Sequence, residues 1–134
     1  MLEISFKEYY SDLLIYIEIN ENSDMSRIPP NPGRCELCLR QTKLTQHHLI
    51  PKRLHRNQRI ITRYGRDTLR TRIAWLCLAC HKHVHRCLSE RALGVDYATV
   101  DLLRAHPDIQ SFIEWLQTKP DDFKPRLSRR KKTP

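Results

Sequence analysis

Apolar positions along the chain fall into short runs separated by basic and histidine-rich stretches, and those runs set the expected elements. The opening run from Phe6 to Ile17 carries apolar residues at both helical and alternating spacings, so either element fits and only packing is predicted. Ile28-Pro29-Pro30-Asn31-Pro32-Gly33 then breaks regular structure and marks a boundary. The run from Lys43 to Ile50, closed by Pro51, and the run Ile73-Ala74-Trp75-Leu76 predict two strands, with a polar basic loop between them. Trp75, inside an apolar run, is expected in the core. His81 to Leu88 contains neither Gly nor Pro and predicts a helix. Residues 98–105 and 109–118 predict two amphipathic helices broken near Pro107. The expected fold class is therefore α+β: a β-hairpin plus helix with flanking helices. Its parts are a leader over residues 1–33 that packs on the core, a core over 34–90, C-terminal helices over 91–120, and a basic tail over 121–134 expected to be disordered.

Composition narrows the class. A chain of 134 residues has the length of one domain, and 40% hydrophobic residues with 3 glycines and 8 prolines exclude collagen-like and low-complexity chains. No run is long enough to span a membrane, and Glu3 and Glu8 stand where a signal peptide would be basic and then apolar. The expectation is a cytoplasmic protein without a membrane partner. The net charge of +9 is unevenly spread: residues 34–86 hold 13 Lys and Arg against 2 Asp and Glu, a local charge of +11. Such a field favours a polyanion, since each phosphate neutralised releases condensed counterions. A merely solvated basic surface is the alternative that charge alone leaves open.

The cysteines carry a sharper signal. Cys35-Glu36-Leu37-Cys38 and Cys77-Leu78-Ala79-Cys80 are two Cys-x-x-Cys pairs separated by 38 residues. Each is a tight turn that aims two thiolates at one point, and two such pairs complete the tetrahedral sulfur shell preferred by zinc. Two disulfides are disfavoured in an intracellular chain, and redox pairs have no need of two copies flanking a histidine cluster. A structural Zn²⁺ held by Cys35, Cys38, Cys77 and Cys80 follows, supplying folding free energy that a small core lacks. Cys87 is left over with no assigned role.

The histidines add chemistry. His47 and His48 end an extended run, so their side chains point to opposite sides and have separate roles. His81 and His85 lie four residues apart and share one helical face able to hold a metal.

His47-His48-Leu49-Ile50-Pro51, the upstream Cys35-x-x-Cys38, and Cys77-Leu78-Ala79-Cys80-His81-Lys82-His83-Val84-His85 together resemble the HNH endonucleases of the ββα-metal class. The likeness covers residues 35 to about 86. It implies a ββα-metal finger stapled by the cysteine zinc, in which His47, His81 and His85 ligate a single catalytic divalent cation (Mg²⁺, Mn²⁺, Ni²⁺ or Zn²⁺) and His48 is the general base. The implied activity is hydrolysis of DNA phosphodiesters, leaving 5′-phosphate and 3′-hydroxyl ends. The chemistry is consistent with this division, because hydrolysis needs a base for the attacking water and a positive centre at the leaving oxygen.

One departure stands out. The middle Asn of the motif orients the general base, and the corresponding stretch Leu69-Arg70-Thr71-Arg72-Ile73 has none. Thr71 and Asn57 are the alternative orienters. Lys52, Arg53, Arg56 and Arg72 are the expected contacts to double-stranded DNA, gripping phosphates without reading sequence. Two rivals remain: a non-catalytic zinc-finger module that binds nucleic acid with incidental histidines, and an inactive relative that keeps the fold as an interaction protein.

Overall fold

The computed structural model describes residues 27–126, an α+β domain built on one two-stranded antiparallel sheet. The expected packing of the leader and disorder of the tail fall largely on residues 1–26 and 127–134, outside the described residues. Strand β1 (Leu44–His48) pairs with β2 (Ile73–Cys77) in the register Leu44↔Cys77 to His48↔Ile73. β2 buries Ile73, Ala74, Leu76 and Cys77, whereas β1 buries only His47. The residue facing His47 across the ladder is Ala74, whose small side chain leaves room for the imidazole.

The expected basic loop between the strands is instead largely helical. A 3-10 turn (Lys52–Arg56) is followed by α1 (Gln58–Tyr64) and α2 (Arg66–Thr71). Asn57 starts α1 because its side-chain oxygen accepts the amides of Arg59 at 3.0 Å and Ile60 at 3.3 Å. Gly65, at φ 82°, turns the chain from α1 into α2 in a conformation that disfavours any side chain. Ile60 and Leu69 are buried with Ile50 and Ala98, and Leu54, Ile61 and Tyr64 pack around them in a small second core. The arginines of these helices occupy the outer faces, which is why the stretch reads as loop from composition.

α3 (Leu78–Cys87) begins where β2 ends, with the Cys77 sulfur accepting the Cys80 amide at 3.5 Å. α4 (Glu90–Asp96) is an element that the apolar pattern does not announce. Ser89 caps it through the Ala92 amide at 3.2 Å, and Gly94 lets the 3-10 turn approach. A Cβ on Gly94 would lie 2.3 Å from Leu54 Cδ1. α5 (Val100–Ala105) and α6 (Pro107–Gln117) match the two expected C-terminal helices, and Pro107 is the first residue of α6, where its missing N–H costs nothing.

The main core joins the sheet to α3, α4, α5 and α6 through Leu76, Val84, Leu93, Leu103, Ile109, Ile113 and Leu116. Trp75 is only half-buried, contrary to the expectation from its apolar run. Its indole N–H donates to the Pro29 carbonyl at 2.9 Å, so it pins the incoming segment to the sheet. Arg40 is 6% exposed and donates to the carbonyls of Pro120 at 2.9 Å and Phe123 at 3.0 Å, tying the end of the described chain to the first cysteine turn. No helix among the described residues is long and apolar enough to cross a membrane.

Leu76 is 0% exposed and Leu78, two residues on, is 54% exposed. Leu76→Ala is expected to cost about 2–5 kcal/mol in denaturant unfolding at fixed zinc. Leu78→Ala should stay within about 0.5 kcal/mol of the parent. Equal effects would contradict this core.

Candidate functional site

Two clusters of side chains that could ligate a metal adjoin the β1–β2 hairpin. In the first, one sulfur each from Cys35, Cys38, Cys77 and Cys80 lies within 4.8 Å of the others, and all four residues are buried. None is in a disulfide, and Cys38 Sγ and Cys77 Sγ are 3.7 Å apart. A disulfide needs about 2.05 Å, whereas four sulfurs each about 2.3 Å from one zinc stand about 3.8 Å apart at the corners of a tetrahedron. The observed spacing fits the tetrahedron. The first turn is shaped by Leu39, at φ 64°, whose amide donates to the Cys35 carbonyl at 2.9 Å.

Electrostatics also ask for a cation. Hydrogen bonds shared among the four buried sulfurs lower the pKa of Cys77 and of Cys38, the latter to about 6, and raise those of Cys35 and Cys80. A metal binds the thiolate form, so a divalent ion would displace the protons that remain on the quartet. The Arg40 guanidinium, 3.8 Å from Cys77 Sγ, adds positive charge beside the sulfurs. Four sulfur donors in this arrangement could hold a metal ion such as zinc.

The second cluster is His47, His81 and His85, with one ring nitrogen of each within 4.8 Å of the others. Each pair of rings has its centroids 5.1 Å apart. β1 supplies His47 and successive turns of α3 supply the other two, so the sequence expectation of a shared helical face is met. Exposure rises across the cluster from buried His47 through half-buried His81 to exposed His85, which leaves it open on one side.

His47 is 0% exposed, and neither of its ring nitrogens has a hydrogen-bond partner. Such a group is costly to bury unless something outside the protein satisfies it. Burial, then the proximity of His81, His85 and His48, pushes its pKa down to about 3. Burial also lowers His81, with His85 and His48 adding to the effect, and lowers His85 against an opposing pull from Glu90. Three neutral imidazoles therefore crowd one point, a donor set suited to a borderline divalent ion. His81 Nδ1 is 2.7 Å from the Thr45 hydroxyl.

His48 parts from His47. It is half-buried and its ring lies 6.0 Å from that of His55, whose Nε2–H donates to the Ile50 carbonyl at 2.8 Å. Burial, then Lys52 and His55, lowers the His48 pKa and keeps its imidazole neutral. Of the two expected orienters, Asn57 caps α1, and the Thr71 hydroxyl donates to the Asp67 carbonyl at 2.8 Å. His55 is the neighbour that sequence reasoning passed over. Its only advance sign was a histidine set among arginines seven residues after His48.

The basic residues are distributed unequally. Lys52, Arg53 and Arg56 are exposed on the 3-10 turn, where Arg53 already faces Glu90 at 3.6 Å across solvent. Arg72 is half-buried, with its guanidinium 5.5 Å from the Tyr64 ring centroid, and Arg63 approaches the same ring at 5.1 Å.

No family model matches the chain, and no solved structure matches it. Over 91 residues it is 34% identical to YisB of Bacillus subtilis (strain 168), an uncharacterized protein, covering 67% of this chain and 79% of that protein.

The depressed pKa of His47 has a consequence for stability. Between pH 3 and 6.5 the unfolded chain binds a proton at this position that the folded chain does not, so stability rises with pH across that window. In the upper part of that window, where the cysteine thiolates keep their zinc, and with no other divalent ion, acidification should cost up to about 1.4 kcal/mol per pH unit from His47 alone. Urea unfolding across this range should show a shallower acid slope for His47→Phe than for the parent. Identical slopes would mean that His47 is not held neutral.

Proposed function

We propose that this chain, which belongs to the same family as YisB of Bacillus subtilis, is a metal-dependent endonuclease that hydrolyses DNA phosphodiesters. The hairpin β1–β2 with α3 is read as a ββα-metal finger, stapled by zinc on Cys35, Cys38, Cys77 and Cys80. His47, His81 and His85 hold the catalytic divalent ion, and His48 is the general base.

The observation that carries this reading is the convergence of three neutral imidazoles on one open-sided point, one of them fully buried with both nitrogens unpaired. A module that only gripped nucleic acid through a zinc knuckle would gain nothing from burying His47 in this way. The resemblance to HNH endonucleases supports the same assignment.

The chain's residues divide the work. When bound, the divalent ion supplies positive charge at the leaving oxygen. His48, neutral near pH 7 because its pKa is lowered, takes a proton on its free ring nitrogen from the attacking water. The water oxygen bonds to phosphorus as the P–O3′ bond breaks, and the departing O3′ takes a proton from solvent, leaving a 5′-phosphate and a 3′-hydroxyl. His55 lies against His48 and holds the following turn through Ile50, the support for which the motif ordinarily uses Asn. Lys52, Arg53, Arg56 and Arg72 fix the duplex by its phosphates, which positions the strand without reading bases.

Purified protein incubated with supercoiled plasmid and Mg²⁺, Mn²⁺ or Ni²⁺ should nick it, and His48→Ala should lower the rate by about 10²–10⁴-fold. Equal nicking by both proteins, or none by the parent with any of the three ions, would contradict the mechanism.

A further inference from the structure

Thr45 is on β1 two residues before His47, so both side chains leave the same face of the strand toward α3. Its hydroxyl oxygen is 2.8 Å from the Leu76 carbonyl oxygen and 2.7 Å from His81 Nδ1. A hydroxyl has one proton to give, and a carbonyl oxygen can only accept. The threonine proton therefore goes to Leu76. With that proton committed, Oγ1 meets His81 Nδ1 only as an acceptor, so Nδ1 carries hydrogen. In a neutral imidazole the lone pair then resides on Nε2.

We propose that Thr45 is a positioning residue that fixes the tautomer and ring orientation of His81, presenting its Nε2 lone pair to a divalent cation shared with His47 and His85. The inference rests on the reading of the three histidines as a cation site. The relay has a rigid base. Leu76 is the ladder partner of Thr45, so strand pairing sets the carbonyl, and β-branching restricts the threonine χ1. His81 is in this way held from behind, while His47 is held by burial and His85 projects toward solvent. Outer hydrogen bonds of this kind fix which nitrogen binds metal and raise its basicity.

Two measurements test the role, both on full-length protein with zinc on its cysteines and no other divalent ion. Long-range ¹H–¹⁵N NMR of the imidazoles, well above the histidine pKa range, should show His81 protonated at Nδ1 in the parent and in Thr45→Ser. Thr45→Val, nearly isosteric but without the oxygen, should lose that preference. Protonation at Nε2 in the parent overturns the proposal without recourse to any variant. Calorimetric titration with Ni²⁺ should show binding weakened about 10–100-fold in Thr45→Val and near the parent value in Thr45→Ser. Unchanged affinity in Thr45→Val overturns the role of Thr45 alone, whereas no Ni²⁺ binding by the parent overturns the histidine site itself.

Discussion

Four sulfurs drawn from two turns separated by 38 residues converge within 4.8 Å, and the placement of every other group in the candidate site depends on that convergence. The first turn enters β1 and the second leaves β2, so closing the quartet brings Leu44 opposite Cys77 and sets the ladder register. Shifting that register by one residue would turn His47 away from α3 and bring His48 toward it. The quartet also starts α3, since Cys77 caps it and His81 follows Cys80 directly. A small core with a two-stranded sheet has little stability to spare, and a metal bound to four thiolates is a source of folding free energy that packing of this size does not supply.

From that frame, the two histidines of β1 acquire different environments. His47 lies between the small Ala74 and the first turns of α3, buried and neutral. His48 sits at the strand end beside the 3-10 turn, half-buried and next to His55. Adjacent residues of one type thus become chemically unlike because strand alternation sends one into a dry cluster and the other to a wet edge. The two-helix insert between the strands adds its own small core and turns basic side chains outward, while α4 approaches the turn through the space that Gly94 leaves open.

Much of this was legible in the chain. Paired cysteines, two apolar runs and a glycine-free histidine segment are local signals, and they located β1, β2, α3 and the seven residues of both clusters. What escaped depends on contacts between distant segments. α1 and α2 read as loop because arginines outnumber the few apolar residues that anchor them, and α4 is short, with Ser89 its only strong cue. Trp75 looks like core in its run but lies half-exposed, since its indole reaches back to Pro29. Asn57 and Thr71 have the right chemistry for orienting His48, and each also bonds within its own helix, a local duty that spacing alone does not announce. Thr45 is unremarkable in sequence and gains meaning only from two distances.

In the proposed reading, one hairpin carries two distinct metal sites, one for stability and one for chemistry. Anomalous diffraction from crystals grown with Ni²⁺, collected at the zinc and nickel edges, tests it most directly. The account predicts a zinc peak among Cys35, Cys38, Cys77 and Cys80 and a separate nickel peak bounded by His47, His81 and His85. A zinc peak alone, or nickel bound elsewhere with the three imidazoles left vacant, would contradict it.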